Sequence, residues 1–350
     1  MKAKVSGTKK KINGTTFLLM ITILLFVVMY AAGMIVFNDK GFAKPQMFLN
    51  LFISNAGLLV IAMGETIVMI TAGIDISVGS VTALVCMVAA NQMENHGASA
   101  YTALLMALVI GLLFGLVQGF LVSYLEIQPF IVTLAGMFFG RGMTSIISTD
   151  MISIKNKTFL AWANYKIYLP IGSYSRRGKV IPAYIYPTVI IAILIFIVIA
   201  IIMKYTKFGR EVYAIGGNAQ SAMMMGLNVK KTKFKAYVLD GLLAGCGGFL
   251  FCLNSCSGFV EQAKGLEMDA ISASVIGGTL LSGGVGTPFG TVFGVLIKGT
   301  ISSLITTQGT LSSWWVRIAL SALLCFFIVL RALSCMTSVT CRCLFVFLLK

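Results

Sequence analysis

Apolar stretches of membrane length recur along almost the whole chain, and they leave room for little except a bundle of spanning helices. A helix needs about 20 apolar residues to cross the hydrocarbon layer. Candidate spans lie at 16–36, 47–72, 77–92, 100–125, 129–149, 184–203, 236–258, 269–282, 286–306 and 314–333. Apolar residues make up 58% of the 350 residues and charged residues only 11%, against roughly 25% charged in a soluble domain. The expectation is an all-α, polytopic integral membrane protein of about ten transmembrane helices, with most of the chain in lipid. A Lys-rich start (Lys2, Lys4, Lys9, Lys10, Lys11) precedes the first span. It resembles a signal peptide, but the span is long enough to stay in the membrane as an uncleaved anchor.

The net charge of +16 sits in the connections between spans. Residues 204–235 hold Lys204, Lys207, Arg210, Lys230, Lys231, Lys233 and Lys235 against one acid, Glu211. Basic loops stay in the cytoplasm because Lys and Arg resist translocation. Ten spans put both termini on that side and 204–235 with them. The loop 150–183 then falls outside despite its own six Lys and Arg residues, which conflicts with the same rule. Its Trp162, Tyr165, Tyr168, Tyr174, Tyr184 and Tyr186 fit either an interfacial lid or an aromatic belt. Basicity of this kind is topological here, so no nucleic-acid partner is expected.

Two stretches break the apolar pattern at membrane depth. Gly73, Asp75, Ser77 and Gly79 interrupt 61–83, and Gly277, Gly278, Gly283, Gly284, Gly286 and Pro288 interrupt 269–290. Broken backbone survives there only where protein or a water-filled cavity satisfies it. Discontinuous helices point to a transport pathway; small residues alone would serve close helix packing equally well. Asp75, Ser77, Ser282 and Thr287 beside the glycines tilt the reading toward a pathway.

Enzymatic chemistry finds no support. A phosphate-binding loop needs Gly-x-x-x-x-Gly-Lys-Ser/Thr, and Gly216-Gly217-Asn218 lacks the Lys. The 284–290 glycines miss the dinucleotide fingerprint. His96 is the one histidine, so no Ser/His/Asp set can form. The eight Cys lack metal spacing with His and read as apolar filler. No catalytic residue, metal or cofactor is expected. Ionisable residues at membrane depth are Glu65, Asp75, Arg141, Asp240 and Asp269. Asp75 with Ser77 caps the next helix or faces a path, and Glu65 lines the path or pairs with another group, Arg141 being the candidate. An ion-coupled carrier acting alone and a membrane scaffold are the rival classes.

Several motifs, in order, resemble the membrane permeases of bacterial simple-sugar ABC importers, the ribose, xylose, arabinose and galactose group. They are Ala72-Gly-Ile-Asp-Ile-Ser-Val-Gly-Ser80, the run Gln128–Gly142, Phe208-Gly-Arg-Glu-Val-Tyr-Ala-Ile-Gly-Gly-Asn218, Glu267–Ile271 and Val275–Thr287. The resemblance covers about 16–331. Gly309–Trp315 and Thr133–Phe139 look closest to the galactofuranose-type permease of the group. It implies one permease domain over 1–333, a second permease subunit, identical or paralogous, a cytoplasmic ATPase subunit and a substrate-binding protein. It also implies that Asp75, Ser77 and the 277–287 glycines line or gate the path; with the reading of the broken stretches, the candidate path residues are Glu65, Gly73, Asp75, Ser77, Gly79, Thr133, Gly277, Gly278, Thr279, Ser282, Gly283, Gly284 and Thr287. A short coupling helix within Ala214–Lys231 would meet the ATPase through Gly216, Gly217, Asn218, Ser221, Ala222, Gly226 and Lys230. Asp240 stands where the group more often has Ser, the connection 259–268 is short, and the tail 334–350 does not look like the group.

Overall fold

The computed structural model describes residues 14–174, 180–310, 312 and 314–337. Helices dominate: α1 (Gly14–Val36), α2 (Pro45–Ile70), α3 (Val78–Asn95), α4 (Ala100–Ser123) and α5 (Pro129–Ile147) come first. A short strand β1 (Ile152–Ser153), a helix α6 (Lys157–Asn164) and the hairpin β2 (Ile167–Tyr174) and β3 (Val180–Ile185) follow. Then come α7 (Pro187–Tyr205), α8 (Lys207–Gly217), α9 (Ala219–Met224), α10 (Val229–Ser255), the strand β4 (Ser257–Gly258), α11 (Leu266–Ile276), α12 (Pro288–Gln308) and α13 (Trp314–Thr337). Seven of these helices are long and apolar enough to cross a membrane. Every span expected from the sequence corresponds to a helix, within a few residues at most ends. The expected span 269–282 is the exception in kind: helix ends at Ile276, and 277–287 is loop. The lysines of 2–11 and the tail beyond Thr337, with Cys341 and Cys343, lie outside the described residues.

Proline and small polar residues set the helix starts. Pro45, Pro129, Pro187 and Pro288 open α2, α5, α7 and α12, where a missing N–H costs nothing and φ is already helical. Thr206, Asn218, Asn228 and Thr287 cap α8, α9, α10 and α12 by accepting first-turn N–H groups. Gly309, with φ of +80°, closes α12. Cys256 caps the end of α10 rather than lying within it.

The core sits around α2, α3 and α10, each of which buries a long run of residues. α10 packs along both α2 and α4. It reaches α4 closely because Gly241 and Gly245 face Gly111 and Gly115 backbone to backbone; a Cβ at any of the four would enter the facing main chain. The described residues of the connection, 148–174 and 180–186, form a cap at one end of the bundle. β1 pairs antiparallel with β4, and Tyr184 stacks edge-on against Tyr168 and Tyr186 beneath Lys166. The length of α7 puts α8 and α9 at the opposite end.

Candidate functional site: a broken span joined to a glycine elbow

After α2 the chain unwinds over Thr71–Ser77 and runs back alongside it. Ala72 makes the turn with φ of +62°, a left-handed conformation that costs a non-glycine residue about 1–2 kcal/mol. The return brings Asp75 beside Glu65: the Asp75 N–H donates to Glu65 Oε1 at 3.3 Å, and Asp75 Oδ1 accepts the Ser77 N–H at 2.7 Å. Asp75 thus serves the turn just ahead of α3, while being buried at the depth of Glu65. Gln118 of α4 donates to Ser77 Oγ at 2.8 Å, and Thr133 of α5 touches the Ile74 carbonyl at 3.4 Å. Gly73 leaves space for the Tyr237 hydroxyl, and Gly79 for the Glu267 carboxylate.

Glu65, Asp75 and Asp240 meet in this enclosure, all three buried. Gly64 makes room for Asp240, since a Cβ there would overlap its carboxyl. The carboxyls of Asp75 and Glu65 act electrostatically on Asp240 and on Tyr237. Glu65 Oε2, both Asp240 carboxyl oxygens and the Tyr237 hydroxyl make no hydrogen bond of good geometry among the described residues. No ion pair among those residues reaches the trio. Buried polar groups without partners are costly, and at membrane depth they mark functional positions. The expected partner of Glu65 is corrected: Arg141 instead donates to the carbonyls of Val260 and Gln262, at 3.0 and 2.6 Å. Its position on α5 points it at the connection between α10 and α11, which it pins.

The second broken stretch, 277–287, meets the first at the α8 end of the bundle. The Gly284 N–H donates to the Ile70 carbonyl at 2.9 Å, and Gly283 abuts Ala72 and the Gly216 carbonyl. Gly283 and Gly284 have φ of +85° and +75°, which glycine adopts freely. Gly216 fits between Ile70 and Gly284 with no room for a Cβ. Tyr213 of α8 donates to the Gly286 carbonyl at 2.8 Å, and burial pushes its phenol pKa up, so it stays a neutral donor. Gly277 rests on the Gly290 backbone, Thr279 is buried beneath Gly286, and Thr287 caps α12, while Ser282 is exposed. The glycines of 283–284 therefore form an elbow between the ends of α2, α8 and the α11–α12 loop.

α9 stands out from this elbow. Asn218 Oδ1 accepts the Ser221 N–H at 2.8 Å, Ala222 is buried, and Gly226 at φ of +81° ends the turn. Met223, Met224 and Met225 are 63%, 81% and 69% exposed, an adaptable apolar surface of the kind that meets partners. Gly217 and Gly226 have nothing within 4 Å of where a Cβ would stand. Lys230 reaches Glu126 at 2.8 Å and holds that carboxyl below its usual range. Between α9 and the α4–α5 turn lies a hollow of about 380 Å³.

Residues missing from the sequence reading complete the picture. Tyr237 and Gln118 look like ordinary span residues until the break at 71–77 is folded against them. Lys298 carried a readable signal, a lysine inside an apolar span; it pairs with Asp269 at 3.2 Å.

The family described as "Branched-chain amino acid transport system / permease component" matches residues 47–329. The inner membrane ABC transporter permease protein YjfF of Escherichia coli is 41% identical over 89% of this chain and 91% of its own length. The fructose import permease protein FruG of Bifidobacterium longum is 31% identical over 94% of this chain and 95% of its own. The ribose import permease protein RbsC of Bacillus subtilis is 35% identical over 78% of this chain and 81% of its own. No solved structure matches.

Proposed function

The chain belongs to the permease-component family of ABC importers, and from that membership we propose that it is the membrane-spanning subunit of a simple-sugar importer in the bacterial inner membrane. The observation that carries the reading is 31–41% identity, over 78–94% of the chain, to permeases named for fructose and ribose import and to an inner-membrane ABC permease. The family description names branched-chain amino acids, but two of the relatives, over 94% and 78% of this chain, are named for fructose and ribose import. The chain is not itself the hydrolase; a separate ATPase subunit hydrolyses ATP, and a binding protein delivers substrate. A monosaccharide of the galactofuranose type is the finer proposal, resting on the Gly309–Trp315 and Thr133–Phe139 motifs.

In this reading α8 and α9 face the cytoplasm, residues 1–333 form one permease domain, and a second permease subunit completes the path. The ATPase seats on the exposed methionines and on Gly217, Asn218, Ser221, Gly226 and Lys230, while the buried Gly216 and Ala222, expected at the same contact, instead anchor that surface from behind. Its closure moves α9 as a rigid piece. Gly216 and Tyr213 pass that movement to Ile70 and Gly284–Gly286, and so to both broken stretches. The polar residues there, Glu65, Asp75, Ser77 and Thr133 among them, line the path that opens. A path of this kind must bind weakly enough to release its cargo.

The test is co-purification from detergent-solubilised membranes, with and without Ala214–Lys231 replaced by a Gly/Ser linker. An ATPase retained by the native chain and lost from the replaced one is the expected result. No ATPase with the native chain would overturn the reading in favour of an ion-coupled carrier, with Glu65→Gln as the next variant.

A further inference from the structure

Lys298 is the central residue of α12, an apolar spanning helix. A charged lysine at such depth is costly against lipid, so its side chain belongs where water or protein reaches it. It pairs with Asp269 of α11 at 3.2 Å, with the two side chains 19% and 28% exposed. Asn55 Oδ1 lies 3.5 Å from the ammonium. This pair opens into a cleft of about 540 Å³ between the far part of α10, α11, α12 and the start of α13. Small-molecule sites typically occupy about 300–1,000 Å³.

The rest of the cleft has the chemistry of a polyhydroxylated ring. Trp314 is 67% exposed, with the Arg317 guanidinium 5.0 Å from its ring centroid. Arg317 also donates to the Lys264 carbonyl at 3.3 Å. Glu261 and Lys264 pair at 2.6 Å on the rim, and the ammonium holds the Glu261 carboxyl below its usual range. Glu261 is therefore an ionised acceptor at neutral pH. A sugar ring offers a flat C–H face to an indole, and vicinal hydroxyls that donate to a carboxylate and accept from an ammonium. Asp269 and Lys298 already neutralise each other, so a neutral ligand need not break the pair to bind.

We propose that this cleft is a weak monosaccharide subsite, with Trp314 against the ring face and the Asp269–Lys298 pair holding its hydroxyls. It rests on the reading of the chain as a simple-sugar permease and gives that reading a place where the cargo sits. None of its side chains except Asp269 is marked by the broken-helix pattern.

The experiment uses the full chain, purified in nanodiscs, with Trp162→Phe and Trp315→Phe so that Trp314 is the one indole left of three. D-ribose, D-fructose, D-galactose and L-leucine are titrated while Trp314 emission is followed. A saturable shift with a sugar is expected, weakened at least about tenfold in Asp269→Asn and in Lys298→Gln, as the loss of charge-assisted hydrogen bonds requires. Lys298→Arg, which keeps the charge, should hold near-native affinity, and an unchanged elution profile and helical circular dichroism certify each variant. No response to any of the three sugars, a response to leucine alone, or native titration curves in Asp269→Asn and Lys298→Gln would overturn the subsite. The titration needs no ATPase. A saturable sugar response without co-purifying ATPase would leave the subsite standing and remove the importer reading; co-purification without a sugar response would do the reverse.

Discussion

Gly216 and Gly217 are neighbours at the end of α8, and their surroundings predict opposite outcomes for the same substitution. A Cβ on Gly216 would run into the Ile70 carbonyl and the Gly284 amide, while one on Gly217 would meet nothing within 4 Å. In Gly216→Ala the elbow must open. Overpacking costs about 1–3 kcal/mol, and displacing the Gly284 N–H from the Ile70 carbonyl adds about 0.5–1.5 kcal/mol. The sum, about 1.5–4.5 kcal/mol, corresponds to a fall in unfolding temperature of roughly 3–9 °C at about 2 °C per kcal/mol. Gly217→Ala creates no clash, and alanine at a helical position is favoured over glycine by up to about 1 kcal/mol. Its unfolding temperature should stay level or rise. The assay is thermal unfolding of the purified chain in one detergent, native and variants side by side. Equal transitions in the two variants would refute the elbow geometry, because only the packing around Gly216 distinguishes them. A bulky Gly217→Trp extends the contrast to function: it should leave the unfolding temperature near native yet separate ATP hydrolysis from sugar uptake in the assembled complex. Normal uptake in that variant would count against α9 as the coupling surface.

Other outcomes follow from single contacts. Gly64→Ala should destabilise by about 1–3 kcal/mol through collision with Asp240; Asp240→Ala in the same chain should recover part of that loss, and strict additivity in a double-mutant cycle would show that the two do not touch. Removing the Asn218 cap in Asn218→Ala should cost about 1 kcal/mol, read as faster amide hydrogen exchange at Ser221, whose N–H it receives. Lys230→Ala should not move the unfolding temperature between pH 6 and 8, because its pair with Glu126 is exposed. The sign agrees: Glu126 has a lowered pKa in the fold, so its contribution is present above the ordinary carboxylate pKa and is lost only as pH falls through the lowered value. Gly241→Leu should prevent close approach of α10 to α4 at Gly111 and abolish the folded peak in size-exclusion chromatography.

The sequence by itself determined that this is a bundle of spanning helices, where the helices begin, and where they break. Hydrocarbon admits few backbone solutions, so apolar length marks the spans, and Pro45, Pro129, Pro187 and Pro288 mark the starts. Glycines clustered at 277–284 and polar residues at 73–79 mark the breaks, because neither pattern can continue a helix cheaply. The Asn218-to-Gly226 turn was legible for the same local reason, a cap followed by a left-handed glycine. Tertiary structure alone decided which of these pieces meet. Nothing local says that Asp75 folds back on Glu65, that Tyr237 and Asp240 close the same enclosure, that Arg141 bonds the carbonyls of Val260 and Gln262 and not Glu65, or that Gly216 meets Gly284. All but the Asp75–Glu65 turn join elements distant in sequence, and their partners are chosen by how closely helices and loops can approach. That approach is set by glycines such as Gly64 and Gly111, whose missing side chains have meaning only once the facing backbone is in place.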